Sequence, residues 1–309
     1  MDQLKETANS DHHFPFVSII LPVFNDPEGL ADTLNSLLQQ DYQPGRWEII
    51  VVDNNSTDNT PVVAQSYDKN YDNIHYLIEK NVQSSYAARN RGIEQSSGTL
   101  LAFIDSDMTV ERGWLQRGVT HIVEGHGHYI GCPVEIYPKN GSPNIVELFN
   151  IRTGFPIQKY INKFGFAGAG NIFINREIID TVGSFDERLI SGGDKEFGNR
   201  VKDYGFIQFY DKENIMKHPA RVSMRSLCKK TFRKGKGFVE LQNYYPDRYG
   251  KIEFSRVIIT FIPAIRVGIR THFADLPLLH KMGIFIIANI VRLSAASGRL
   301  YRYLQIKVT

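Results

Sequence analysis

Short apolar runs that alternate with helical patterns restrict the fold of this chain more than any other feature. "FVSIILPVF" is followed by "PEGLADTLNSLLQQ", "WEIIVVDNN" by "TPVVAQSYDK", "IHYLIEK" by "SYAARNRGIEQS", and "TLLAFIDSD" by "ERGWLQRGVTHIVE". Strands joined through helices lie parallel, and near-continuous apolar strands are buried on both faces, so the pattern predicts a parallel sheet with helices on both sides. Ligands of such open sheets bind at the carboxyl ends of the strands. Three of those ends are polar: Pro22 to Asp26, Asp53 to Asp58, and Asp105 to Asp107. A later strand is expected in "HYIGCPVEIYP". The Gly-rich "GFAGAGNIFINREIIDTVGSFDERLISGGDKEFGNRVKDYGF" then leads into a helix starting near Asp194, its glycines suited to close approach of backbone to a ligand.

At 309 residues the chain is long enough for a large α/β domain with a substantial core. Residues 1–14 are polar and mixed in charge, without the basic start and apolar centre of a secretory signal; a disordered tail and a cytoplasmic protein are expected. Cys132 and Cys228 lack metal-ligand spacing and are expected to be buried free thiols.

The net charge of +3 hides an asymmetry. From Phe254 to Thr309 the one acidic residue is Asp275, against Arg256, Arg266, Arg270, Lys281, Arg292, Arg299, Arg302 and Lys307. These cations are interleaved with "VIITFIPAI" and "MGIFIIANIV", a mixture that suits an anionic membrane surface better than nucleic acid. Neither run reaches the roughly 18 to 20 residues of a bilayer span. Peripheral attachment at the inner face of the plasma membrane is therefore expected, with packing on the catalytic body or on a second subunit as the alternative. The change to a helical, basic pattern near Ala220 divides the chain into residues 15–220 and a C-terminal region, 221–309.

The strand ends indicate the chemistry. The first lacks the G-x-G-x-x-G of a dinucleotide-binding domain and carries "LPVFNDPEGL" instead. Asp105 and Asp107, at i and i+2 where a buried strand opens into a turn, can converge on one hard divalent cation, Mg²⁺ or Mn²⁺, which would in turn hold a phosphate. Asp53 suits the N–H of a base or a ribose hydroxyl, although "VVDNNSTDNT" also reads as a turn with Ser56 and Thr57 as helix caps. "DSDMT" also satisfies the D-x-D-x-T of haloacid-dehalogenase-like phosphatases, with Asp105 as nucleophile. Those enzymes carry the motif after the first strand, whereas three βα units precede it here, and Gly198 and Asn199 stand where a further metal-binding aspartate is expected.

Taken in order, "VSIILPVFNDPEGLADTLNSLLQQ", "EIIVVDNNSTDNT", "NVQSSYAARNRGIEQSSGTLLAFIDSDM", "GAGNIFINREIIDTVGSFDERLISGGDKEFGNRV" and "IMKHPARVS" resemble the family-2 inverting glycosyltransferases of GT-A fold, from about Val17 to Ser223. The resemblance implies an α/β fold with a nucleotide-sugar-binding mixed sheet flanked by helices, extended here by the basic helical C-terminal region. It implies that Pro22, Phe24, Asn25 and Asp53 hold the base and ribose of a nucleotide-diphosphate sugar, UDP being the family's commonest nucleotide. Ser85 and Arg89 would close over the nucleotide, although Arg89 equally suits a pairing with the strand-end carboxylates. Asp105 matches the first aspartate of the family's D-x-D, near ribose and metal. Asp107 and His218 match the ligands of Mn²⁺ or Mg²⁺, and Asp194 matches the base that takes the proton of an acceptor hydroxyl.

The chain departs from the family at Gly193, where a Glu often precedes the base; Glu196 follows two residues after Asp194. The Gln-x-x-Arg-Trp signature of processive synthases is missing, so the resemblance implies transfer of a single sugar to a glycan or lipid-linked acceptor, as in surface polysaccharide synthesis. A catalytically inactive, sugar-binding relative is the remaining alternative. "KKTFRKGKGF" reads as a basic loop, with Lys234 and Lys236 as candidates to meet a diphosphate or a lipid-linked acceptor.

Overall fold

A computed structural model describes residues 14–261 and 273–308. Residues 1–13 of the expected disordered tail, and Arg266 and Arg270 of the basic tail, lie outside the described residues. Strands β1 (Val17–Val23), β2 (Trp47–Asp53), β3 (Ile74–Ile78) and β4 (Leu100–Ile104) alternate with helices α1 (Pro27–Leu37), α2 (Thr60–Asn70) and α3 (Ser85–Gln95). They pair in the order β3-β2-β1-β4, all parallel, with Val17 beside both Trp47 and Leu100.

The two-residue period of β1 divides its side chains between two cores. Val17, Ile19, Leu21 and Val23 pack with Leu30, Leu34 and Leu37 of α1 and with Trp114 and Val119 of α4 (Trp114–Val123). Ile20 packs on the other face with Ala88 and Ile93 of α3.

Beyond β4 the sheet changes direction. β8 (Asn171–Asn175) runs antiparallel to β4, β6 (Tyr129–Gly131) antiparallel to β8, and β9 (Gln208–Tyr210) parallel to β6. The single strand expected in "HYIGCPVEIYP" is two strands. Pro133 has no N–H to give a ladder and restricts Cys132 before it, so the chain leaves the large sheet after β6. It enters a small second sheet as β7 (Val134–Tyr137), beside β10 (Met216–Pro219), which also pairs β5 (Thr109–Val110).

Helices α5 (Ile145–Thr153) and α6 (Ile157–Lys159), the latter continuing into a π-helical turn at Tyr160–Phe164, link the two sheets. α7 (Arg176–Val182) and α8 (Gly193–Asp203) complete the second core.

After β10 come α9 (Met224–Tyr244), α10 (Pro246–Tyr249), α11 (Phe254–Ile259) and α12 (Leu278–Val308). "KKTFRKGKGF" is thus helix, not loop. Its glycines admit neighbouring backbone: a Cβ on Gly235 would collide with the Ala295 carbonyl of α12, and one on Gly298 with the Phe232 carbonyl of α9. The second apolar run is also longer than expected. It lies inside the 31-residue α12, which contains an 18-residue window of mean hydropathy 1.4 and is long and apolar enough, by length and composition, to cross a membrane.

The arginines of α12 face its neighbours. Arg302 pairs with Glu240 at 2.9 Å, Arg299 stacks over Phe238 at 4.3 Å, and Arg292 donates to the Thr260 carbonyl. Outward instead lie Leu279, Met282, Ile286, Ile290, Leu293 and Leu304, all more than 40 % exposed. Both cysteines are free; Cys132 is buried and Cys228 only half-buried.

Candidate active site

The carboxyl ends of β1, β2 and β4 lie side by side, and their turns are stitched together. Asn25, with φ +51°, donates its N–H to Ser56 Oγ (2.8 Å) and accepts from the Thr57 N–H (2.8 Å). Ser56 and Thr57 therefore bind across to β1, while Asn59 occupies the N-cap position of α2. Asp53, 1 % exposed, accepts from the Ser56 N–H at 2.9 Å and from the Tyr76 hydroxyl at 3.1 Å. Burial and the Asp53 charge push that hydroxyl above the ordinary tyrosine range. Pro22 is buried in β1, and Phe24 presents a ring that is 48 % exposed. An open aromatic face above a rigid polar turn is suited to stacking on a base.

Helix α3 organises the other side. Tyr86, Arg89 and Asn90, at i, i+3 and i+4, share its inner face. Arg89, 4 % exposed, donates to the Asp105 carboxylate and to the Ser85 carbonyl (3.3 Å). Arg89 thus pairs with a strand-end carboxylate. Asn90 exchanges two hydrogen bonds with the Phe185 backbone, at 2.8 and 3.0 Å. The Tyr86 hydroxyl donates to Asp194 Oδ1 and accepts the Gly193 N–H at 2.9 Å.

Asp105 lies within electrostatic reach of both Asp107 and Asp194. Burial pushes Asp105 above the usual carboxylate range; Arg89 opposes this, and the charges of Asp107 and Asp194 add to it. Burial also acts on Asp107, but His218 and Arg221 outweigh it and hold that carboxyl below the usual range. The Gly-rich segment passes close by: a Cβ on Gly170 would stand 2.6 Å from Asp105 Oδ2.

His218, 4 % exposed on β10, places Nε2 3.3 Å from Asp107 Oδ2, while its Nδ1 lies 2.5 Å from the Pro219 carbonyl. That carbonyl only accepts, so Nδ1 carries a proton and Nε2 is the atom facing the carboxylate. A lone pair and a carboxylate oxygen at this separation require a positive charge between them, a proton or a cation. A hydrogen-bonded Nδ1 with a free Nε2 is also the arrangement of metal-ligating histidines. Among the described residues no group of three or more His, Cys, Asp or Glu side chains is gathered as a metal site. Asp107 and His218 fit a cation that takes its other ligands from a diphosphate and water.

Asp194 lies in the first turn of α8, after Gly192 at φ +92°. Glu196, 4 % exposed, points away and is bound by Arg200 at 2.8 and 2.9 Å. Arg200 also donates to the Val182 and Ser184 carbonyls, so Glu196 anchors α8 to the preceding loop.

Positive charge comes from α9 and the residues before it. Lys230 lies over the Phe155 ring at 4.5 Å, and that ring packs against His218, with centroids 5.7 Å apart. Burial, helped by Lys234, Arg221 and Arg233, pushes Lys230 down to about 7. Burial also lowers Lys234, which Asp194 opposes. Arg221 feels both Asp107 and Asp105, and its Nε is buried without a hydrogen-bond partner. Lys236 is instead turned toward Tyr301 of α12, at 5.6 Å. A helical reading of "KKTFRKGKGF" would have selected Lys230, Arg233 and Lys234, again at i, i+3 and i+4. Tyr86 was visible only as part of the α3 stripe with Arg89 and Asn90.

The model of the family described as glycosyl transferase family 2 matches residues 18–183. Glycosyltransferase AglE of Haloferax volcanii is 40 % identical over 228 residues, 74 % of this chain and 74 % of the relative. The GalNAc(5)-diNAcBac-PP-undecaprenol beta-1,3-glucosyltransferase of Campylobacter jejuni is 35 % identical over 123 residues, 39 % of each chain. Among solved structures, the mannosyltransferase PcManGT from Pyrobaculum calidifontis, in complex with GDP-Man and Mn²⁺, superposes with a TM-score of 0.64 at 15 % identity, covering 93 % of this chain and 87 % of that one. A mixed sheet of this order, flanked by helices and followed by a C-terminal helix, is a GT-A fold. The chain belongs to glycosyl transferase family 2 and is a glycosyltransferase.

Proposed function

We propose that the enzyme is inverting, metal-dependent and non-processive, and moves one sugar from a nucleotide-diphosphate sugar, UDP-sugar favoured, to a hydroxyl of a lipid-linked glycan. The observation that carries this reading is the pairing of Asp107 Oδ2 with His218 Nε2 at 3.3 Å, with Lys230 within electrostatic reach of Asp107 and Lys234 of Asp194. Asp194 takes the acceptor proton while the acceptor oxygen attacks the anomeric carbon from the side opposite the diphosphate, so configuration inverts. Arg221, Lys230, Arg233 and Lys234 receive the negative charge that gathers on the departing diphosphate. Asp107 and His218 would hold Mn²⁺ or Mg²⁺, which when bound supplies Lewis-acid stabilisation of the same charge. Phe24 and the Asn25 turn receive the base, and Asp53 keeps that turn in place. Arg89 reserves Asp105 in an ion pair, which disfavours its use as a phosphatase nucleophile.

A lipid-linked acceptor is supported by the outward apolar face of α12 and by the undecaprenol-diphosphate acceptor named for the Campylobacter relative. Because its arginines face inward, α12 meets the membrane through Leu279, Met282, Ile286, Ile290 and Leu293 more than through charge.

Calorimetric titration with UDP-, GDP- and dTDP-sugars, with Mn²⁺ or with EDTA, tests the donor site. The expected result is binding of one nucleotide class that requires metal and is lost in Asp107→Ala. Equal binding with EDTA and in Asp107→Ala would overturn the metal assignment. Phosphate release from simple monoesters would restore the phosphatase reading.

A further inference from the structure

Tyr86 and Gly193 form a matched pair at the candidate base. Tyr86 is 4 % exposed, and its ring stacks on Phe185 with centroids 5.9 Å apart and planes at 21°. Its hydroxyl accepts the Gly193 N–H and donates to Asp194 Oδ1, so one oxygen ties both the backbone and the side chain of the first turn of α8 to the inner face of α3. Residue 193 has no side chain because the tyrosine occupies that space: a Cβ there would stand 2.7 Å from Tyr86 Cζ and 2.8 Å from Cε2. The departure at Gly193 noted in the sequence thus has a physical counterpart 107 positions earlier in the chain.

We propose that Tyr86 is the positioning residue of the base in this enzyme, fixing the Asp194 carboxylate by a charge-assisted hydrogen bond, and that Gly193 is required to admit it. The proposal rests on the reading of Asp194 as the base. Desolvation and the Asp194 charge push the Tyr86 hydroxyl well above its ordinary range, so it remains a donor at every working pH. One rotamer of Asp194 is thereby selected, leaving Oδ2 on the side of Gly168, where a Cβ would be 4.0 Å away. A base held by one oxygen with the other free is oriented for proton transfer.

Tyr86→Phe keeps the ring and removes the hydroxyl. Turnover of the nucleotide sugar selected by calorimetry is read as nucleoside diphosphate released with water as acceptor, from pH 5 to 9, beside wild type and Asp194→Asn. The expected result for Tyr86→Phe is a fall in kcat of roughly ten- to a hundredfold with donor KM within about twofold. Should Tyr86→Phe fail to fold, Gly193→Ala, which displaces the ring while keeping the hydroxyl, carries the same expectation. Wild-type kcat in Tyr86→Phe, with Asp194→Asn inactive, would overturn the proposal and leave the base assignment standing. Undiminished turnover in Asp194→Asn would overturn both.

Discussion

Donor binding is expected to take up a proton through Lys230. Its ammonium lies over Phe155, and burial, with Lys234, Arg221 and Arg233 adding to it, brings it down to about 7, against an ordinary value near 10.4. At pH 8 only about a tenth of the empty enzyme carries that charge. A diphosphate brought beside the amine favours its charged form and returns it toward the ordinary range. Binding at pH 8 therefore takes up about 0.9 proton, falling to about 0.5 at pH 7. An anion raises the pKa of the amine, so protons bind with the donor, and affinity weakens as pH rises from 7 toward 10. Titrating UDP-glucose, or whichever nucleotide sugar binds, in two buffers of different ionisation enthalpy gives the number of protons taken up. Lys234 adds its own share in wild type, so the Lys230 contribution is the difference from Lys230→Met. An uptake that does not change in Lys230→Met, or heats independent of buffer, would refute the assignment of Lys230 to the diphosphate.

Three further outcomes are expected. Arg302→Met removes the partner of Glu240, which is 2 % exposed and also accepts the Ile190 N–H at 2.8 Å; urea unfolding should show a loss of about 2–4 kcal/mol, and an unchanged midpoint would mean the pair contributes nothing. Gly298→Val drives a side chain into the Phe232 carbonyl and should cost roughly 1–3 kcal/mol as α12 shifts on α9, measured by the same unfolding curve. Leu279→Ser, Ile286→Ser and Leu293→Ser, combined on the outer face of α12, should lower sedimentation with anionic vesicles at least tenfold while calorimetric donor binding is kept. Equal sedimentation would assign that face to a protein partner.

Strand-to-helix alternation was legible because a period of two and a period of 3.6 are written in neighbouring residues, and four parallel strands follow from them with little freedom. The polar ends of β1, β2 and β4 were legible for the same reason: charge closing an apolar run has to sit at the mouth of the sheet. Local pattern misled where a long-range choice intervened. "HYIGCPVEIYP" has the composition of one strand, and only the competition of two sheets for its halves splits it at Pro133. "KKTFRKGKGF" looks like a loop because its glycines lower helix propensity; packing against the backbone of α12 overrides that preference.

By itself the sequence determined the fold class, the order of its strands' polar ends, and the residue types able to hold a divalent cation and a diphosphate. Tertiary structure alone decided which groups meet. His218 lies 111 residues from Asp107 in the chain and reaches it only because β10 pairs with β5, just past the acidic turn. Tyr86 reaches Asp194 across 108 residues, and Glu240 reaches Ile190 across 50. Among the described residues, Arg292, Arg299 and Arg302, which helped make the tail look like an electrostatic anchor, are held by Thr260, Phe238 and Glu240, leaving an apolar face outward. Periodicity is a property of neighbours along the chain, whereas these contacts form between elements that only the closing of the two cores brings together.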